Sequence, residues 1–419
     1  MKKLFIPFCL LVLAFSAKAQ QPDSTLTYTT GEGLTIRLGK GEGNRFTLVS
    51  AIQPGIQYSR LDSAGRHINT NRLSLNLVRV GLNASLLKDK ITASIVTDFT
   101  GVSPILEGWI GISMLRKKAK LIIGQKQAHT NNRLAMADER YAQVMGQSLA
   151  GRSIDGTLYG GLMQNFVGST REGGIFFESG FNAGSWKIYP SVSITTGEGQ
   201  NFFDPQSNNG FKYGGRLDVL PFGDFIKNNA FIAHDIYREP KLKLAIGVAA
   251  SYNVKASSAI GSENNTITGI YDKGGNASYP NYRKIVADFI LKSNGFSLTG
   301  EYVNGTIGGK DLYTNTAATS QFTAQLASNY YNVGSAYNFQ TAYVCRTGWA
   351  FDARASFVKP EFNTATSHVQ EENWYTAGIN KYMKHNALRA GLNVNYIERK
   401  ALTNPTDRLI VNLALQIVI

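Results

Sequence analysis

With 419 residues, 43 Lys and Arg against 29 Asp and Glu, and a formal net charge of +14, the chain is strongly basic, which favours anionic partners such as lipopolysaccharide, anionic solutes or nucleic acid. Its cations are scattered along alternating segments and nothing resembles a nucleic-acid module, so nucleic acid is set aside. Beyond the N-terminus no apolar run approaches a membrane-spanning helix, so any membrane role must use strands.

The first residues, MKKLFIPFCLLVLAFSAKAQ, combine a charged start at Lys2 and Lys3, a short apolar core from Leu4 to Phe15 and the A-x-A site Ala17-Lys18-Ala19. That pattern predicts a signal peptide over 1–19, cleaved during export through the inner membrane. The apolar core is too short to be a retained anchor. Its removal lowers the formal charge from +14 to +11 and leaves Cys345 as the one cysteine, so no intramolecular disulfide is possible. Residues 20–45 are expected to be an N-terminal periplasmic extension, in which 34–38 could pair with a barrel rim.

From 46 onward the sequence alternates. In RLSLNLVRVGLNASLLKDKITASIVTDF, Leu73, Leu75 and Leu77 share one phase, which then slips to Val78, Val80 and Leu82. Period two predicts strands with unlike faces, and a one-residue slip predicts a bulge. Strands are expected at 46–59, 71–87, 90–99, 105–115, 119–127, 172–181, 185–196 and 211–220. The second half adds 241–253, 283–292, 295–304, 330–341, 347–357, 373–383, 386–397 and 408–419. Pro54 suggests a further bulge in the first of these.

Tight turns at Lys88-Asp89, Arg116 to Lys118, Asn182 to Gly184, Ser293-Asn294, Cys345-Arg346 and Lys384-His385 alternate with longer connections at 60–70, 128–171, 197–210, 254–282, 305–329, 358–372 and 398–407. The segment 221–240 is the exception on the short side. Short turns at one end, long loops at the other and an even strand number predict an all-β, transmembrane antiparallel β-barrel over 46–419 in the cell outer membrane. Sixteen strands are expected, with 18 possible if RSIDGTLYG at 152–160 also pairs; parity places it in the loop instead. Leu82 and Phe99 would then face lipid, and Arg79 and Asp98 the lumen.

The polar phase supplies a candidate anion pathway of Arg72, Arg79, Lys120, Lys126, Lys212, Arg216, Lys241, Lys243, Arg354 and Arg389, with lumenal acids Asp98, Asp218, Asp288, Glu301 and Asp352. A barrel of this size is wide enough for an aqueous channel, and lumenal cations attract anions. The competing expectation is that these arginines pair with lumenal acids and stiffen the wall. The long loop 128–171 is a candidate constriction carrying Arg133, Arg140 and Arg152 inward, against the alternative of an external flap.

Several short pieces resemble the phosphate-selective porin family, porins O and P. They are LVRVGLNASLLKDKITASIVTDF, LIIGQKQ with Gly124 and Lys126, ADERY with Glu139 and Arg140, GGRLDVLP, and TGEYVNG with Gly300, Glu301 and Tyr302. The resemblance spans roughly 46–419 and implies a trimeric pore for phosphate or other small anions. Two departures stand out: Val78 and Asn71, not arginines, precede Arg79 and Arg72, and the last residue is Ile419 where such barrels commonly carry an aromatic.

Catalytic chemistry is not expected. His67, His129, His234, His368 and His385 fall in connections without a second ligand at metal spacing, so no metal or other cofactor is assigned. His234-Asp235 reads as a surface pair. GQSLAG at 146–151 lacks nucleophile-elbow spacing, and GEGLTIRLGKGEG lacks P-loop spacing. The expected function is passive diffusion of small anionic solutes, with outer-membrane lipid, lipopolysaccharide and the barrel-assembly machinery as partners. The alternatives are an enzyme on a barrel scaffold and a plugged structural or binding barrel.

Overall fold

The computed structural model describes residues 24–39, 43–100, 105–134, 171–199, 210–258, 267–309, 311–385, 387–401, 403 and 405–419. The expected signal peptide and segment 152–160 lie outside them. The strands are β1 (Thr25–Thr29), β2 (Gly33–Leu38), β3 (Asn44–Ser63), β4 (Arg66–Leu86), β5 (Ile91–Asp98), β6 (Ile105–Met114), β7 (Ala119–Gln127), β8 (Arg171–Ser179), β9 (Phe181–Ala183) and β10 (Trp186–Thr195). There follow β11 (Lys212–Leu220), β12 (Lys243–Asn253), β13 (Asn281–Ser293), β14 (Phe296–Gly308), β15 (Gly334–Val344), β16 (Trp349–Pro360), β17 (Glu372–Tyr382), β18 (Leu388–Arg399) and β19 (Thr406–Val418). Each pairs antiparallel with its neighbour, and β19 returns to β3, closing a 16-strand barrel. β8 and β9 are one barrel strand interrupted at Gly180, both pairing β10. β1 and β2 form a hairpin whose second strand continues the edge of β3 below the point where β19 ends. No described helix is long and apolar enough to cross a membrane.

The alternation sorts as the period dictates. Ile95, Ile110, Ile123, Val192, Val248, Phe339 and Leu415 stand exposed on the outer wall. Their inward neighbours Ser94, Arg216, Asn338, Ser356 and Gln416 are buried. A ring closed by its own hydrogen bonds leaves no backbone edge for hydrocarbon to meet, which is why this pattern suits a bilayer. The tight turns use left-handed backbone. Asn294 and Gly295, with φ 50° and 95°, make the asparagine-glycine hairpin turn that matches strand twist.

Three expectations are corrected. Residues 60–70 are not a loop: β3 and β4 run on as one hairpin, turning only at Ala64 and Gly65. Both strands are mostly polar and exposed there, and the ladder extends through their backbone pairing. The slip falls opposite Gln53 and Pro54, where Leu75 and Leu77 are successive partners and Asn76 is extra. Leu77 therefore turns inward into a small cluster with Val49, Ala51, Ala387 and Val418. Finally, the connection expected at 221–240 runs from 221 to 242, because β12 begins only at Lys243. Its residues Phe225, Asn229, Ala233, His234, Asp235 and Glu239 are buried inside the barrel, so His234-Asp235 is an interior pair.

The seam between β3 and β19 is interrupted. Its ladder runs from Ser63↔Thr406 to Gly55↔Ala414, resumes at Ile52↔Ile417, and ends with Ser50 and Ile419 exchanging backbone bonds of 2.8 Å. At the gap, beside Pro54, Gln53 Nε2 donates to Gln416 Oε1 at 3.0 Å.

Candidate functional site: the lumen

Beyond β7 the chain enters the barrel. Gly124, at φ +131°, ends the regular pleat, and Gln125, Lys126 and Gln127 are all buried in succession. The polar run His129 to Asn132 then crosses inward, where its groups find partners on three strands. Asn131 accepts from Arg216 Nη1 at 3.1 Å through its carbonyl and from Lys284 Nζ at 2.6 Å through its side chain. Arg133 donates its backbone N–H to Asp288 Oδ2 at 2.9 Å and its Nε to Asp288 Oδ1 at 3.1 Å, while Nη2 pairs with Asp218. Leu134 N–H reaches Glu301 Oε1 at 3.4 Å. The wall is shaved to admit this segment at Gly214, where a Cβ would collide with Thr130, while one on Gly247 would collide with the guanidinium of Arg216 on the neighbouring strand.

Arg216 completes the knot. It grips Asp218 through Nε and Nη2, both at 2.8 Å, and Asp288 through Nη1 at 2.9 Å and Nη2 at 2.7 Å. Two guanidinium groups thus face two carboxylates in forked contacts, the geometry arginine favours with carboxylates. Other expected lumenal cations are paired too. Arg79 Nε meets Asp98 Oδ2 at 2.7 Å, Lys212 meets Glu172, and Lys126 meets Glu178, which His129 Nε2 also touches at 2.7 Å. Arg354 is inward and buried, with Nη2 3.4 Å from Thr376 Oγ1. Arg389 reaches Gln416 Oε1 at 3.0 Å and Tyr382 Oη at 3.4 Å.

Of the inward acids, Asp352 accepts from Asn380 Nδ2 at 2.7 Å and Glu301 from Asn338 Nδ2 at 2.7 Å. Lys243 lies at the turn end, bonded to Phe222 O at 2.7 Å. Two expected lumenal residues are displaced. Lys241 precedes β12 and is exposed, because the strand begins two residues later than expected. Arg72 keeps the inward phase but lies exposed, beyond the last β4–β5 pair at Arg79 and Asp98. Arg140 and Arg152 lie outside the described residues.

Between the inserted segment and the wall remains a cavity of about 630 Å³. Lys117, Lys118, Lys120 and Lys126 border it from the turn end inward, and His129 and Arg133 close its far side. Lys120 and Lys126 stand 5.2 and 5.8 Å over the Trp109 ring, whose face attracts their ammonium groups. Glu107, Glu178, Asp218 and Asp224 also line it. Among the described residues no group of His, Cys, Asp or Glu could hold a metal.

Sequence reasoning missed Glu107, Arg171, Glu172, Glu178, Lys284 and Lys292. Lys284 and Lys292 share the phase of Asp288 in NYRKIVADFILKS, so the signal was present. It also missed an apolar lumenal band, in which Ala249, Val286, Val303, Ala336 and Val358 are direct cross-strand partners on five consecutive strands.

The fold defines the class: this is an outer-membrane-type β-barrel. Among solved structures, the outer membrane channel DcaP of Acinetobacter baumannii is similar at 11% identity and TM-score 0.53, covering 91% of this chain and 99% of that one. A loop-deletion mutant of OmpT, an outer membrane protein of Vibrio cholerae, is similar at 10% identity and TM-score 0.52 over 89% and 99%. OprB of Pseudomonas putida is similar at 11% and 0.50 over 90% and 94%. These likenesses are of fold. No family model and no curated protein matches the chain.

Proposed function

We propose that the chain is an outer-membrane porin passing small anionic solutes by passive diffusion. The observation that carries this is the cavity beside the inserted segment, with its succession of Lys117, Lys118, Lys120 and Lys126 leading to Arg133. The reading assigns no catalytic residue. An anion moving inward passes Lys118 and Lys120 before it reaches the Lys126–Glu178 and Arg133–Asp218 ion pairs. Phosphate as one of the solutes rests on the family resemblance of the fragments quoted above.

A trimer is supported by the uneven wall. Among the described residues β4 pairs β5 from Arg79 to Leu86, with Phe99 N–H bonding Val78 O at 2.8 Å, and its stretch from Arg66 to Leu77 has no ladder partner on that side. Leu73 and Leu75 are 80% and 57% exposed there, beside an apolar groove shared with Pro54, Ile56 and Leu413. Such an apolar patch on the outer wall suits packing against a second copy.

Planar-bilayer recording tests the channel, and reversal potential in a salt gradient tests anion preference. Conductance that is cation-selective rejects the anion pathway. A second reading, a plugged binding barrel, is favoured by the burial of the apolar band and of Arg354 and Asn338 on the inner wall of β15 and β16. Folded protein that never conducts selects that reading.

A further inference from the structure

The connection between β11 and β12 enters the barrel from the opposite end to the inserted loop, and the two meet. Leu134 packs with Phe225, Ala230 and Ala233 in one apolar cluster, closed by Leu220 and Ile290 from the wall. On its other flank, Ile236 packs with Val344, Ala350 and Tyr382. The segment therefore lies across the mouth beneath β11 to β17, and its Phe225 and Phe231 form one side of the remaining cavity.

Two charged groups fix it. Lys292, fully buried on β13, donates to the carbonyls of Asn229 and Ile232 at 2.6 Å, to His234 O at 2.8 Å and to Asn229 Oδ1 at 2.8 Å. Asp235 accepts from Asn229 Nδ2 at 2.7 Å, from Glu239 N–H at 3.0 Å and from Gly295 N–H at 2.7 Å. A Cβ on Gly295 would strike Val344 O and the Arg238 guanidinium, so this turn is shaped to the segment. Gathering four oxygens round one buried ammonium, whose three N–H groups they share, has no purpose in a loose periplasmic turn, whereas leaving the charge and those carbonyls unpaired inside the barrel would be costly.

We propose that 224–239 is a second constriction, inserted from the periplasmic side, which confines permeation to the side of the lumen bounded by β6 to β11 and sets the size limit there. The proposal rests on the porin reading above. It differs from it in assigning the narrowing to a fixed element of the turn end, distinct from the 128–134 segment.

The test replaces 224–239 in the full chain by a short Gly-Ser linker. Heat-modifiable migration and protease resistance establish folding. Single-channel conductance is expected to rise at least about twofold, and vesicle swelling with a trisaccharide to rise relative to a pentose. A folded replacement with unchanged conductance and unchanged sieving overturns the proposal. If the replacement does not fold, the double variant Phe225→Ala, Phe231→Ala, which keeps Lys292 and Asp235, decides in the same way by a smaller rise or none. Wild-type protein that is silent while the replacement conducts supports the constriction and removes the passive-diffusion reading. Silence in both folded proteins overturns both.

Discussion

Replacing Arg133 by methionine keeps the aliphatic stem and removes the charge at the narrow end of the cavity. In the folded chain Arg133 and Arg216 oppose Asp218 and Asp288; the contacts to Asp288 are fully buried and those to Asp218 half-buried at the cavity. The variant leaves two carboxylates on one guanidinium, a net change of one unit toward negative. Breaking a buried pair costs about 3–5 kcal/mol in stability. For permeation, an ion passing about 5 Å from the excess charge through water feels about 0.8 kcal/mol, so each ion's partition changes roughly fourfold, in opposite directions for anions and cations. The permeability ratio should then move toward cations by on the order of tenfold, read as a displaced reversal potential in a salt gradient. Arg133→Lys should preserve most of the anion preference. A folded methionine variant whose reversal potential matches wild type would refute the assignment of Arg133 to the pathway.

Other outcomes follow from the same geometry. Ile123→Arg, on the exposed face of β7, should destabilise the barrel by about 2–4 kcal/mol in urea unfolding from lipid vesicles, whereas Ser94→Thr on the inner face should change little; equal effects would mean the faces are misassigned. Arg79→Met should cost about 3–5 kcal/mol, because Asp98 is left buried, and adding Asp98→Asn should recover much of that loss; strict additivity in the double-mutant cycle would exclude the pair. Burial, reinforced by Arg389 and Lys292, pushes the His234 imidazole down to about 3 from 6.5. The ring also faces Tyr382 Oη at 2.7 Å and Asp352 Oδ2 at 3.4 Å. The released segment binds a proton more readily than the seated one, so seating is strongest above about pH 6.5 and weakens as pH falls toward 3. Acid-induced current noise should appear below that point and vanish in His234→Gln; its persistence there would assign it to another group.

Strand number, the two unlike ends and the lumenal phase were legible because period two and connection length are local properties. Arg79 opposite Asp98, or Lys126 on the inner wall, needs only the count along a strand. What could not be read is where a connection goes once it leaves the sheet. His234 and Asp235 look like surface residues because their partners, Lys292, Tyr382 and Asp352, lie 58 to 148 positions away. The clearest trace of the insertions is negative: Gly214, in an otherwise regular strand, marks room for Thr130. Such a glycine identifies where something approaches the wall without saying what. Pairing of lumenal cations with acids was expected, but not with Glu172 and Glu107, which hold Lys212 and Arg171 from strands whose inward phase is short and interrupted.

The join between the first and last barrel strands has a kinetic meaning. All other pairings link chain neighbours and can zip from hairpins, whereas this one brings together side chains 363 positions apart. Holding so long a loop shut costs about 5 kcal/mol of chain entropy, borne by a ladder with a proline in it. The cylinder should therefore form last and rupture first along that line, and a crosslink between positions 53 and 416 should slow unfolding more than one placed in any hairpin.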